Sequence, residues 1–141
     1  MIIRAAASKD AEQLSILNSI FQEKETTTAA DMRKFLGSNS HEIVLVAVAD
    51  DGEIAGFCYG QPYMSICYNR PMGALNDLFV KENYRGQGIA QKLVKAMEDA
   101  LAKRGCTSVR LVTGINSAAN DFYLKNGYKQ ASKFNEYIKE I

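Results

Sequence analysis

The chain is expected to fold as an α/β protein, a mixed and mostly antiparallel twisted sheet flanked by helices on both faces. Three observations lead there. Two β-rich apolar runs, Ile43 to Ala49 and Glu53 to Gly60, flank Asp51-Gly52, a hairpin signal that predicts an antiparallel pair. The stretch Phe79 to Leu93 changes from strand to helix periodicity in its middle. The order of strand Met72 to Val80, helix from Gly88 and strand Ser108 to Thr113 implies a right-handed crossover and therefore one parallel pair.

With 141 residues the chain reads as one domain, residues 1–141, long enough to bury about 70% of its unfolded surface in a single core. Hydrophobic residues at 47% and charged residues at 23% make an ordinary globular composition without repeats or low complexity. A net charge of +1 supplies no basic field, so nucleic acid is not expected as a partner. No apolar run approaches about 18 residues and no charged-then-apolar leader is present, so no membrane association is expected and a cytoplasmic location is. Cys58, Cys67 and Cys106 are odd in number, lack Cys-x-x-Cys spacing and have no nearby His. They are expected as small buried thiols, with neither a disulfide nor a metal.

Met1 to Ala5 reads as a short strand. Ser8 offers an N-cap to the next helix, whose first turn holds Asp10 and Glu12 and whose apolar face is Leu14, Leu17 and Phe21 with Ala11 and Ile16 nearby. The polar run Gln22 to Thr28 ends it, and a second short helix, Ala29 to Leu36, closes at Gly37. His41, the only histidine, is expected to be solvated at the approach to a strand. Beyond the hairpin, Gln61 to Pro71 is more polar and carries Tyr63, Tyr68, Asn69 and Arg70. Its tyrosines either line a cleft, where their faces would attract a cation, or pack under a loop.

In the strand Met72 to Val80, strict alternation puts Asn76, Leu78 and Val80 on one face and Leu75, Asp77 and Phe79 on the other. The helix from Gly88 turns Ile89, Leu93, Met97, Ala100 and Leu101 to the sheet, and Lys103-Arg104-Gly105 stops it. After the strand Ser108 to Thr113, Asn116 or Ser117 caps a last helix that Asn126-Gly127 ends. Tyr128 to Ala131 and Phe134 to Ile141 read as closing strands.

The hinge between strand and helix is Arg85, Gly86, Gln87, Gly88, Ile89 and Ala90. Small residues at a helix start leave the first N–H groups uncovered, and with the positive end of the helix dipole they form an anion site, beside which Arg85 adds a charged fork. It is not a P-loop, because no Gly-Lys-Ser/Thr follows. Nor is it a dinucleotide fingerprint, because Gln91 stands where a third small residue is needed.

Arg85, Gly88 and Ala90 are spaced as in the Arg/Gln-x-x-Gly-x-Gly/Ala signature of the GNAT superfamily of acyl-CoA-dependent N-acyltransferases, which this stretch resembles. Asn116, Ala119, Phe122, Tyr123, Gly127 and Tyr128 resemble the second signature of that family, in the same order. The resemblance implies the GNAT fold and acetyl-CoA as acyl donor. It also implies that the main chain of Leu78, Phe79 and Val80 pairs with the pantetheine arm, that Arg85 to Ala90 hold the pyrophosphate, and that Asn116 contacts pantetheine. Tyr123 would stand near the sulfur as proton donor. The acceptor would lie near the first two helices, where Glu23, Glu25 and Asp31 either meet a cationic amine or form a solvated surface.

The side chains lack a Cys-His pair, a Ser-His-Asp set or a metal cluster, which leaves direct attack of an amine on a bound thioester. The base stays open. Relatives with a similar strand carry Glu where Asn76 stands, Asn cannot accept a proton, and Asp77 serves only if the strand departs from regular alternation. The leading expectation is an N-acetyltransferase of a small-molecule primary amine, without a metal. A protein lysine or N-terminal acetyltransferase and a non-catalytic acyl-CoA sensor are the alternatives, and a homodimer stays open.

Overall fold

The computed structural model describes residues 1–38, 41–131 and 137–141. They group into two compact units, Met1–Leu111 and Val112–Ile141. The first holds a five-stranded sheet in sequential order, built from β1 (Ile2–Ala5), β2 (Ile43–Val48), β3 (Ile54–Tyr63), β4 (Met72–Val80) and β5 (Val109–Arg110). The first three pairings are antiparallel, and β4 with β5 is parallel. Mixed direction and the one parallel pair are therefore as the sequence predicts.

Two helices, α1 (Ala11–Gln22) and α2 (Ala29–Ser38), cover one face. Leu14 and Leu17 of α1 pack with Val46 and Phe57, and Phe21 sets its ring against Phe57 and Phe79 at centroid distances of 5.9 and 5.7 Å. On α2, Phe35 meets Tyr59 at 6.4 Å. The opposite face takes α3 (Ile89–Lys103), which buries Ile89, Leu93, Val94, Met97 and Leu101. Val94, rather than the half-exposed Ala100, completes the stripe, and Ile16 of α1 points to solvent instead of the core.

Ser8 does not cap α1. Ser8–Asp10 form a 3-10 turn, and Asp10 accepts the Ala7 amide at 2.8 Å while taking both Nη atoms of Arg4 at 2.7 and 2.8 Å. A buried carboxylate with a bidentate guanidinium holds the chain entry better than a hydroxyl does, and Arg4 keeps the Asp10 carboxyl below its ordinary range. For α2 the cap is Thr28, whose Oγ1 accepts the Asp31 amide at 3.1 Å and donates to the Asp31 carboxylate at 2.8 Å. α2 runs two residues past Leu36, and Gly37 does not break it.

The second unit contains α4 (Ala119–Lys125), ended by Asn126 and by Gly127 at φ 88°. Four expectations shift. β5 is two residues long rather than spanning Ser108 to Thr113, and β3 continues to Tyr63. Tyr128 to Ala131 form no strand, nor do residues 137–141, while Phe134 to Glu136 of the expected last strand lie outside the described residues. Cys67 is exposed, unlike Cys58 and Cys106.

Candidate active site

The strand that leads to the hinge is not regular. Asp77 stands opposite Tyr59, but the next partner pair is Leu75 with Gly60, so Asn76 is an extra residue with no partner of its own. This is a β-bulge, and it corrects the alternation expected from sequence. Gly60 faces α3, since a Cβ there would lie 2.9 Å from the Met97 sulfur, and Leu75 shares that side. Asp77 and Phe79 face α1 and α2, and Asn76 is exposed between the two phases. The bulge needs Gly60 as well, because a Cβ would come within 2.5 Å of the Ala74 carbonyl oxygen.

Burial pushes the Asp77 carboxyl above its ordinary range. The Tyr59 hydroxyl is pushed up too, by burial first and then by the charges of Glu42 and Asp77. Sequence reasoning missed Tyr59 and Glu42. The β3–β4 register would have placed Tyr59 opposite Asp77, had the bulge been visible. Cys58, across the same strands, is pushed up to about 12 by burial and by Asp77, so it is an inert thiol.

Bulge and edge coincide. β5 pairs with β4 only at Gly73 and Ala74, and no other strand among the described residues continues that pairing along Leu75 to Val80. At the end of this strand the hinge turns through Gly86 and Gly88, both at φ 74°, a left-handed conformation that side chains disfavour. A Cβ on either glycine would meet no atom within 4 Å. Gly88 is the N-cap of α3 and no side chain caps that end, so the first-turn amides face the space above the glycines. Arg85 fixes its Nε on the Val80 carbonyl at 3.0 Å. Its terminal nitrogens make no hydrogen bond among the described residues, and with the uncapped amides they form a donor set whose chemistry would suit a pyrophosphate.

In the second unit, Tyr123 packs edge-on to Phe122 and Tyr128, at 5.2 and 5.5 Å. Asn116 is exposed, and Ser117 rather than Asn116 bonds the α4 entry, accepting the Ala119 amide at 3.2 Å. Asn120, which the sequence reading passed over, donates to the carbonyls of Gly114, Ile115 and Ser117 at 2.9 Å each and so shapes the turn that carries Asn116. Asp31 is occupied in its cap, and Glu23 and Glu25 are exposed. No group of three His, Cys, Asp or Glu among the described residues is arranged to hold a metal, and no helix among them is long and apolar enough to cross a membrane.

Residues 11–128 match the sequence model of the Acetyltransferase (GNAT) family. The chain belongs to the GNAT family. An uncharacterized N-acetyltransferase of Bacillus subtilis, YhfO, is 29% identical to this GNAT protein over 146 aligned positions, 100% of this chain and 98% of the relative. An aminoglycoside N(6')-acetyltransferase of Klebsiella aerogenes is 35% identical over 101 positions, 70% of this chain and 66% of the relative. Among solved structures, an aminoglycoside N-acetyltransferase in complex with CoA superposes with a TM-score of 0.84 at 22% identity, covering 99% of this chain and 95% of that one. The GNAT chain is thus an acyl-CoA-dependent N-acetyltransferase with the GNAT fold.

Proposed function

We propose that this enzyme moves an acetyl group from acetyl-CoA directly to the primary amine of a small molecule. The observation that carries the reading is the meeting, on one strand, of an unpaired β4 edge, an uncapped glycine hinge at its carboxyl end and a half-buried carboxylate at its bulge. The main chain of Leu78, Phe79 and Val80 would bind pantetheine as an added strand. Arg85, Gly86, Gln87, Gly88, Ile89 and Ala90 would hold the pyrophosphate through amides and one guanidinium, and Asn116 would contact the pantetheine arm.

An alkylammonium with a pKa near ~10.4 must lose a proton before it can attack. Asp77 takes that role here, because the bulge removes the objection that regular alternation raised and burial makes its carboxylate a better base. Asn76, exposed beside it, cannot take a proton and would orient the acceptor by hydrogen bonds. The amine nitrogen then bonds to the thioester carbonyl carbon, the C–S bond breaks with its electron pair on sulfur, and the Tyr123 phenol gives that sulfur a proton. Two proteins that the chain resembles act on aminoglycosides, and the negative surroundings of Tyr59 suit a cationic acceptor.

Acetyl-CoA offered with a panel of small amines and of peptides, with free thiol recorded, tests the reading. Turnover with small amines is expected. Turnover with peptides alone would make it a protein acetyltransferase, and binding without any turnover a sensor. Gly88→Val should abolish acetyl-CoA binding with helix content unchanged, since a branched side chain fills the space above the hinge and strains φ 74°. Wild-type affinity by calorimetry in the folded variant would refute the pyrophosphate cradle.

A further inference from the structure

Between the last residue of β4 and the glycines lies a short 3-10 turn, Glu82–Tyr84, whose first two residues are exposed. Its side-chain anchor lies at the end of the β2–β3 turn. Glu53, immediately before β3, accepts the Lys81 ammonium on Oε1 at 2.6 Å and the Tyr84 hydroxyl on Oε2 at 2.6 Å. The two residues that it holds bracket the turn, one at each end. Donation to this carboxylate pushes the Tyr84 phenol up to about 12.

Glu53 is itself fixed. Its amide donates to Asp51 Oδ1 at 2.9 Å within the hairpin. Gln13 of α1 ties that hairpin to the helix, donating to the Gly52 carbonyl at 3.2 Å and accepting the Ile54 amide at 2.8 Å. A line of hydrogen bonds therefore runs from α1 through the β2–β3 turn and Glu53 to the hinge. Two glycines in a row of six leave the hinge backbone many alternatives, so an anchor just before it sets how much ordering remains to be done when an anion binds.

We propose that Glu53 is a positioning residue for the pyrophosphate site, holding Lys81 and Tyr84 so that the amides of residues 85–90 are arranged before the donor arrives. The proposal rests on the reading of that hinge as the pyrophosphate cradle. It makes a counterintuitive demand on the sign of the effect. A carboxylate near an anion site repels the anion, and its removal also releases Lys81. If Glu53 acted through its field alone, Glu53→Gln would tighten acetyl-CoA binding. Positioning requires the opposite.

The experiment measures the Kd of acetyl-CoA and of S-acetylpantetheine, which lacks the pyrophosphate, for the wild-type chain, Glu53→Gln and Tyr84→Phe. Expected for Glu53→Gln is about a tenfold loss for acetyl-CoA, of the size of one hydrogen bond to a charged group, with S-acetylpantetheine unchanged. Tyr84→Phe, which removes a single hydroxyl, should lose less, and the double variant should lose no more than Glu53→Gln alone, because Tyr84 acts through Glu53. Tighter or unchanged acetyl-CoA binding in Glu53→Gln overturns the proposal. So does an equal loss for both ligands, which would mark general damage. If Gly88→Val also binds acetyl-CoA normally, the cradle itself has failed; if Gly88→Val is dead and Glu53→Gln is not, only the clamp has.

Discussion

Asp77 places a charge where burial opposes it, and the opposition has a sign that can be worked out. Its folded pKa lies above the ordinary carboxyl value, so the folded chain binds the proton more tightly than the unfolded chain does. Its contribution to stability therefore falls as pH rises from the ordinary carboxyl range through the raised pKa, and above that the penalty is complete. Asp77→Asn is expected to raise Tm near neutral pH, with the gain vanishing in acid, and to lower kcat/KM for an amine by about 10² or more. Thermal melts across pH beside initial rates check both; a variant that is neither stabilised nor slowed removes Asp77 from the reaction. Tyr123→Phe should lower kcat by about 10² while leaving acetyl-CoA affinity near wild type, because proton donation counts only in the transition state. A fall in Tm with full turnover would return Tyr123 to its ring contacts with Phe122 and Tyr128.

β4 and its neighbours depend on a residue with no side chain. Gly60 admits the Ala74 carbonyl at the bulge and the Met97 sulfur from α3, so Gly60→Ala is expected to cost about 2 kcal/mol by overpacking, measured by urea unfolding. A variant as stable as the wild type would mean that the sheet yields there at no cost. The same bulge explains what the sequence conceals. Either half of β4 alternates properly by itself, Gly73 and Leu75 toward α3 before Asn76 and Leu78 and Val80 after it, and only the single extra residue joins two runs of opposite count. Apolar spacing cannot reveal a slip of one. Hairpin, hinge, α3 and its glycine stop were legible because each carries a local signal, a turn dipeptide, a period or a left-handed glycine. The entry to α1 was not, since Ser8 and Asp10 rank alike on capping preference and the Arg4 that settles the matter comes from β1. The expected length of β5, Ser108 to Thr113, carries no such local signal, and Val112 within it is 75% exposed.

Ligand and fold are linked through mass action. A donor that binds only the folded chain stabilises it by about 2.7 kcal/mol at a hundredfold excess over Kd, which for a chain of this size corresponds to a Tm rise of about 8 °C. Thermal melts with acetyl-CoA are expected to show that rise for the wild type and none for Gly88→Val; a flat response in the wild type would place the donor elsewhere. Hinge and second signature could be picked out in the sequence because each keeps its residues within one short stretch; the setting of Tyr59, Glu42 and Glu53 could not, because it is fixed by residues of other elements. The stretch of β4 that β5 leaves without a strand partner has a further meaning outside catalysis. A row of backbone donors and acceptors, here proposed to receive the donor's pantetheine arm, could equally receive a strand from another copy of the chain. If acetyl-CoA covers that edge as proposed, the donor is expected to slow heat-induced aggregation as well as raise Tm, and light scattering during the melts checks it.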